Sequence, residues 1–169
     1  KRQLSDLAEV VPGFEVAKGI GSGSGFVMRG IGSYGVGAAV VSSIVTSVNG
    51  HSVNPSIMTD MGFMDLERIE VLNGPQGTLF GRNSVAGVIN LITKRPTDEF
   101  EGSIRFEGGS WDKETIQGAI NLPFSDNVSA RLAFMTNTRD GMVDKPFTGN
   151  VMDDRNDEAV RLSIDWDIN

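Results

Sequence analysis

The sequence predicts a small α+β domain with a mixed sheet, followed by four antiparallel β-strands. Two features of the 169-residue chain indicate this division. Glycine is abundant, and most of its 21 residues precede Gly109, which suits a domain built with many tight turns. Residues 100–169 instead alternate apolar and polar side chains, the period of two expected for strands with one apolar and one polar face.

The first domain is predicted to contain short elements separated by three long loops. Leu4, Leu7 and Val10 recur on one face of a helix that Pro12-Gly13 ends, and Asn49-Gly50 is a strong turn signal after a β-branched run. The predicted elements are a helix over residues 3–10, extended segments over residues 14–17 and 26–30, a strand over Ile44–Val48, a helix turn over residues 63–68 leading into a strand over residues 69–72, a short helix around residues 78–81, and a strand over residues 88–93.

The second part is predicted to form strands over residues 102–108, 115–122, 128–139 and 158–167. Polar turns at residues 110–113 and 123–127 and a long polar loop at residues 140–157 separate them. Such alternation fits a soluble sheet with one face on a core, and it equally fits the wall of a membrane barrel. Charged residues on the polar face and Trp166 at a strand end favour the barrel wall.

Composition excludes several classes of function. The net charge of −7 argues against a nucleic-acid partner, because neutralising phosphates requires a basic face. The chain has no cysteine and one histidine, His51, so disulfides, thiol chemistry and His-rich metal sites are excluded. The acidic residues at 153–158 lack the ligand spacing of a calcium loop. We predict no catalytic constellation, no metal site and no cofactor.

One glycine motif requires a decision between two interpretations. Residues 30–35 match the pattern G-x-G-x-x-G, which in a nucleotide-binding protein joins a strand to a helix and is followed by an acid about 20 residues later. The run after Tyr34 is rich in Val, Ile, Ser and Thr rather than helix formers, and position 50 is glycine. A tight loop is therefore the favoured interpretation, with a soluble nucleotide-binding protein as the alternative.

Residues 65–96, DLERIEVLNGPQGTLFGRNSVAGVINLITKRP, closely resemble the plug domain of TonB-dependent outer-membrane receptors where it enters the barrel. Three earlier pieces fit the same family in order: residues 11–14, VPGF; residues 28–30, MRG; and residues 48–50, VNG. The resemblance implies an α+β plug domain with a small mixed sheet over residues 1–96. Residues 97–169 would then be antiparallel transmembrane β-barrel strands, the first four of about 22.

The resemblance implies a transport receptor rather than an enzyme. Its expected function is TonB-dependent active uptake of a scarce, bulky nutrient, most commonly an iron–siderophore complex, across the outer membrane of a Gram-negative bacterium. The implied partners are TonB, acting through a segment that precedes residue 1, the iron–siderophore or similar ligand, and outer-membrane lipid. A receptor that senses ligand without transporting it is the alternative within the same family.

The resemblance also implies roles for individual residues. Apical loops at residues 18–25, 32–42 and 52–62 would bind the ligand, with Tyr34, the only tyrosine, as the first candidate and Lys18, Ser24 and Asn54 behind it. The arginine of an Arg-Gly pair holds the plug against carboxylates of the barrel in this family, and Arg29 matches that position. The family's second arginine precedes a Gly-Pro pair, where this sequence has Asn73.

Overall fold

The structure is a computed structural model that describes residues 4–18, 24–32, 43–53, 63–81, 83–141, 143–144, 151–152 and 154–168. The chain divides into two compact units, Lys1–Thr93 and Lys94–Asn169. The division predicted from the sequence, after residue 96, falls a few residues later.

The first unit contains a mixed sheet, as predicted. Its described elements are a 3₁₀ helix Leu4–Glu9, strands β1 Phe14–Lys18, β2 Ser24–Met28, β3 Ile31–Gly32, β4 Ile44–Val48, β5 His51–Val53, β6 Leu66–Asn73 and β7 Gly87–Thr93, and helix α1 Gly77–Phe80. Strands β1, β2 and β3 form one antiparallel sheet, and a second sheet has the order β5-β4-β7-β6. The second sheet is mixed because β4 and β7 are parallel, whereas β5 and β6 pair antiparallel with their neighbours.

The helix turn predicted over residues 63–68 is wrong. Asp65 has a positive φ of 49°, and β6 already begins at Leu66. The pairing of β6 with β7 is interrupted by a β-bulge between Leu66 and Arg68, which leaves one extra residue, Glu67. The bulge turns Leu66 to the same face as Ile69, and both pack against the core. Their spacing of three residues therefore resembled a helix although the segment is a strand.

The core of the first unit is shared by the 3₁₀ helix and both sheets. Phe14 of β1 and Phe26 of β2 bring their rings to 5.4 Å between centroids. Strand β7 is buried along almost its whole length. The buried core residues are Leu7, Phe14, Phe26, Met28, Ile44, Ala86, Ile89 and Leu91.

Gly87, the first residue of β7, lies at a close approach between the two sheets of this unit. A Cβ atom at this position would lie 2.5 Å from the carbonyl oxygen of Leu72 and would also meet the sulfur of Met28. Met28 itself is fully buried. The packing of β2 against β7 therefore requires glycine at position 87.

The second unit is an antiparallel sheet, as predicted. Its described strands are β8 Glu101–Gly109, β9 Lys113–Ser125, β10 Val128–Arg139, β11 Val143–Asp144, β12 Val151–Met152 and β13 Arg155–Trp166. Four of them form a sheet in the order β13-β10-β9-β8, and β11 pairs with β12. The strands run longer than the sequence suggested: β9 continues to Ser125, so the turn predicted at 123–127 is shorter, and β13 begins at Arg155 within the predicted loop.

In the four-stranded sheet, apolar side chains are exposed on one face and polar side chains are buried on the other, the reverse of a soluble protein. Val160, Leu162 and Ile164 are 74%, 63% and 67% exposed, whereas Asn121 and Arg131 on the other face are 0% and 4% exposed. On the apolar face the ring of Phe134 covers Gly118, where a Cβ atom would come within 2.5 Å of the ring. A soluble sheet buries its apolar side, so this arrangement favours the barrel wall over a soluble sheet.

Among the described residues, no helix is long and apolar enough to cross a membrane.

We predict that Gly87→Ala destabilises the first unit by about 1–3 kcal/mol, because the added methyl group overpacks the contact with Leu72 and Met28. Native-state hydrogen exchange of the β7 amides in the full-length protein measures this loss. Gly77→Ala is the matched control, since no atom lies within 4 Å of its Cβ position. That change should leave the exchange of β7 amides unaltered. Equal exchange in both variants would contradict the packing role of Gly87.

Candidate functional site

The residues predicted to contact ligand fall largely outside the described part of the chain. Tyr34 and Asn54 lie outside it altogether. Lys18 ends β1 and Ser24 begins β2, and their backbones are direct partners in the antiparallel pair, although their side chains are not described. The structure thus brings Lys18 and Ser24 together at the base of one hairpin, and the predicted loop 18–25 is correspondingly shorter.

Arg29 occupies an unusual backbone position. Arg29 and Gly30 form the two-residue turn between β2 and β3, with φ angles of 51° and 77°. Such turns favour Asn, Asp or Gly, and a left-handed conformation costs an arginine roughly 1–2 kcal/mol. The Arg29 N–H donates to the carbonyl oxygen of Gly13 at 2.7 Å, which helps to hold the turn in place.

The side chain of Arg29 is exposed, and no ion pair joins its guanidinium to another described residue. The turn therefore presents a charged group that its own sheet does not use. Asn73, at the position of the family's second arginine, is exposed at the end of β6 and pairs with Gly87 in register.

The β2–β3 hairpin also bears on whether residues 30–35 form a nucleotide-binding loop. A dinucleotide loop needs a strand-to-helix turn. Gly30 instead lies in a turn between two strands, and Ile31–Gly32 is the second of them. The described part of the G-x-G-x-x-G motif therefore lacks the geometry of that site.

A row of polar side chains crosses the mixed sheet on one face. Ser47, Asn90 and Glu70 are in register on β4, β7 and β6. Ser47 Oγ donates to Asn90 Oδ1 at 2.8 Å, and Asn90 Nδ2 donates to Glu70 Oε2 at 3.1 Å. The Gly50 N–H also donates to Asn90 Oδ1, at 3.1 Å, so the row reaches the β4–β5 turn. Every polar atom of the Asn90 amide is thereby used near the buried sheet centre.

At its outer end the row reaches Arg68, an exposed arginine that pairs with two carboxylates. Arg68 Nε lies 2.9 Å from Glu70 Oε1, and Arg68 Nη1 lies 2.6 Å from Glu67 Oε1. The hydrogen bond from Asn90 lowers the pKa of the Glu70 carboxyl from its ordinary value, and the hydrogen bond from Arg68 lowers it further. Since Arg68 and Glu67 are about half exposed, the pair is worth little to stability, and the Asn90 bond carries the structural role.

Asn90 was not singled out from the sequence. It is the one polar residue between Val88 and Ile92, in a strand that is otherwise apolar up to its last residue, Thr93. An amide in such a run is a signal for a satisfied buried hydrogen-bond network. Among the described residues, no group of His, Asp and Glu comes together in a way that could hold a metal ion.

The polar face of the second unit carries a comparable network near one end of its strands. Thr115 Oγ1 donates to Asn137 Oδ1 at 3.0 Å, and Asn137 Nδ2 donates to Asp157 Oδ2 at 3.2 Å. The three residues are in register on β9, β10 and β13. Lys113 Nζ also pairs with Glu107 Oε1 at 3.0 Å between β9 and β8. The network links neighbouring strands to one another and fixes their register.

Comparisons with known proteins agree with this architecture. Residues 1–88, more than half of the chain, match the family model of the TonB-dependent receptor plug domain. An iron-regulated outer membrane virulence protein of Vibrio cholerae is 30% identical over 151 residues, which cover 82% of this chain and 23% of that protein. A ferripyoverdine receptor of Pseudomonas aeruginosa is 38% identical over 74 residues, or 44% of this chain and 9% of that protein.

The fold agrees over nearly the whole chain. The crystal structure of the ferric yersiniabactin uptake receptor of Yersinia pestis superposes with a TM-score of 0.78 at 24% identity, covering 95% of this chain and 25% of that one. The chain thus spans about a quarter, or less, of the length of these relatives. With the plug model matched over residues 1–88, the chain belongs to the TonB-dependent receptors, which are transport receptors of the Gram-negative outer membrane and not enzymes.

Proposed function

We propose that the whole protein takes up an iron–siderophore complex across the outer membrane by TonB-dependent active transport. The observation that carries this proposal is the plug fold joined to a sheet whose apolar face is exposed. The names of relatives support the cargo, since they include a ferripyoverdine receptor and a ferric yersiniabactin uptake receptor. In this proposal residues 1–96 are the plug, and residues 97–169 are the first four of about 22 barrel strands.

The apolar face is the surface that contacts outer-membrane lipid. On β9, the side chains between Glu114 and Phe124 on this face are uncharged: Ile116, Gly118, Ile120 and Leu122. About ten residues at roughly 3.4 Å each, on a strand tilted by about 40°, rise about 26 Å, which matches the roughly 25 Å apolar band of outer-membrane barrels. Trp166 ends the equivalent run on β13 and is 65% exposed, as an aromatic at the membrane interface would be.

Ligand contact is assigned to the loops that follow the short strands of the plug. Lys18 and Ser24 meet at the base of the β1–β2 hairpin, which supports a shared place for them beside its loop. Tyr34 and Asn54 are included as ligand contacts because of the family resemblance alone. TonB would act on a segment that precedes residue 1.

The transport proposal is tested by uptake of radioactive iron bound to catecholate and hydroxamate siderophores. We expect iron-starved cells that carry the full-length receptor to accumulate at least one complex, and receptor-deletion cells to lose that uptake. Deletion of TonB should abolish accumulation but leave binding at the cell surface. Surface binding without accumulation in cells that contain TonB would instead make the protein a ligand sensor.

We predict that Ile104→Arg impairs assembly of the full-length receptor while Ser103→Arg does not. The two residues are adjacent on β8, both are exposed, and they point to opposite faces. An arginine on the lipid face costs up to roughly 2–4 kcal/mol near the bilayer midplane and less toward the interface, whereas the polar face is wet. Heat-modifiability on gels measures the folded fraction. Equal defects, or a larger defect in Ser103→Arg, would mean that the faces are assigned wrongly.

Arg29 is proposed as the latch between the plug and carboxylates of the barrel. Its cost in the left-handed turn supports a role for the guanidinium, since Asn or Gly would suit the backbone better. Arg29→Asn therefore removes the charge while keeping a residue that the turn favours. We expect this variant to admit more of a large antibiotic, because buried carboxylates would lose a charge-assisted partner. Asn73→Arg should act in the opposite direction.

The control for the latch is Arg68→Asn, which removes a plug arginine that is paired with Glu67 and Glu70 of its own unit. Antibiotic sensitivity of this variant should stay at the wild-type level. If Arg29→Asn also leaves antibiotic exclusion and uptake at wild-type levels, Arg29 is an ordinary surface charge.

A further inference from the structure

The chain that joins the two units is held on each side by the side-chain amide of an asparagine. On the first-unit side, Asn49 Nδ2 donates to Thr93 Oγ1 at 3.0 Å, and the Thr93 N–H donates to Asn49 Oδ1 at 3.0 Å. Thr93 is the last residue of β7, so this pair of bonds fixes the point at which the chain leaves the mixed sheet.

On the second-unit side, Asn121 holds the connecting segment, residues 94–100, which precedes β8. Its Nδ2 lies 2.9 Å from the carbonyl oxygen of Thr97, 3.1 Å from Thr97 Oγ1 and 2.6 Å from the carbonyl oxygen of Glu99. Its Oδ1 accepts the Thr97 N–H at 3.1 Å. Asn121 is 0% exposed, and every one of these side-chain bonds goes to two residues of the connecting segment.

The position of Asn121 in the sheet is reinforced from both neighbouring strands. Glu101 of β8 and Arg131 of β10 are its direct partners in register. Arg131 Nη1 lies 3.7 Å from Glu101 Oε2, so the ion pair spans the strand that carries Asn121. Arg131 is 4% exposed and Glu101 is 51% exposed, so the pair is only partly screened by solvent.

A comparison with Asn137 on the same face separates two roles. The amide of Asn137 bonds to Thr115 and Asp157 on adjacent strands, so it joins the strands of the sheet. The amide of Asn121 makes its bonds to Thr97 and Glu99, outside the four strands. A fully buried amide in a strand would be costly without partners, and here the connecting segment supplies all of them.

We propose that Asn121 is the anchor of the connecting segment, and that Lys94, Arg95 and Pro96 are the spacer between this anchor and the end of β7. Lys94 and Arg95 are exposed. Pro96 has a fixed φ and keeps Arg95 extended, so the spacer is short and stiff. The four Cα steps from Thr93 to Thr97 span at most about 14 Å. In the proposed receptor, this short spacer and the two asparagines restrain the segment that leaves β7.

The test uses the full-length receptor with Asn121→Asp. This near-isosteric change keeps an acceptor for the Thr97 N–H but places a carboxylate oxygen against two carbonyl oxygens. We expect the amide of Thr97, whose N–H bonds to Asn121, to exchange at least about tenfold faster as the carboxylate repels the two carbonyl oxygens, the ratio that corresponds to loss of one or more net hydrogen bonds. Trypsin, which cannot cut between Arg95 and Pro96, should cut after Lys94 faster by a similar factor.

Asn137→Asp is the matched control, because it places the same charge on the same face beside Asp157 but does not touch the connecting segment. The anchor is supported when only Asn121→Asp speeds exchange and cleavage at residues 94–99. It is overturned when Asn121→Asp leaves them unchanged, or when both variants speed them equally, since the effect would then belong to the whole sheet.

The use of the anchor in transport rests on the proposed function, and a cell assay tests it separately. Cells that carry the Asn121→Asp receptor should admit more of a large antibiotic than cells that carry the Asn137→Asp receptor. Equal entry would show that Asn121 does not restrain the plug. Exchange and cleavage do not depend on transport. A receptor with the expected exchange pattern that takes up no ferric siderophore would therefore overturn the proposed function and leave the anchor standing.

Discussion

The first unit depends on the burial of strand β7 between two partners of opposite direction. Strand β7 pairs parallel with β4 and antiparallel with β6, and its Ile89 and Leu91 lie in the core. A strand with both edges paired and both faces covered must satisfy every backbone polar group within the sheet, which makes its register hard to change. The contact of Met28 with Gly87 then ties the separate antiparallel sheet to this strand. The turn that carries the proposed latch residue Arg29 projects from the sheet held in this way.

Three buried asparagines perform two kinds of task in the chain. Asn90 links three strands of the plug sheet, Asn137 links three strands of the second sheet, and Asn121 holds the segment that enters β8. An amide suits these positions because it both donates and accepts without carrying a charge that burial would penalise. Both the oxygen and the nitrogen of each amide have partners, so substitution leaves those partners unsatisfied. These residues therefore connect elements that hydrophobic packing alone would allow to slide.

The second sheet shows how solvent decides which face of a strand is inside. Alternation in β13 places Leu162 and Ile164 on the exposed side, while Arg131 of the neighbouring β10 is buried on the other. Water would select the reverse arrangement, so the exposed apolar side supports the proposal that this sheet faces lipid. The ring of Phe134 over Gly118 keeps that outer surface continuous where a glycine interrupts it. The sheet and the plug thus obey the same preference for burying apolar groups in different surroundings.

The sequence by itself determined the alternating strands, the Asn49-Gly50 turn and the strand Ile44–Val48, because these depend on local periodicity and turn chemistry. The extended segment predicted over residues 26–30 was wrong at its end, because Arg29 and Gly30 form the turn between β2 and β3. Only the tertiary structure decided the bulge that turns Leu66 into the core, the pairing of Lys18 with Ser24, and the partners of Asn121. Each of these joins residues that register and packing bring together, and no local pattern records which strands become neighbours or where an extra residue is absorbed.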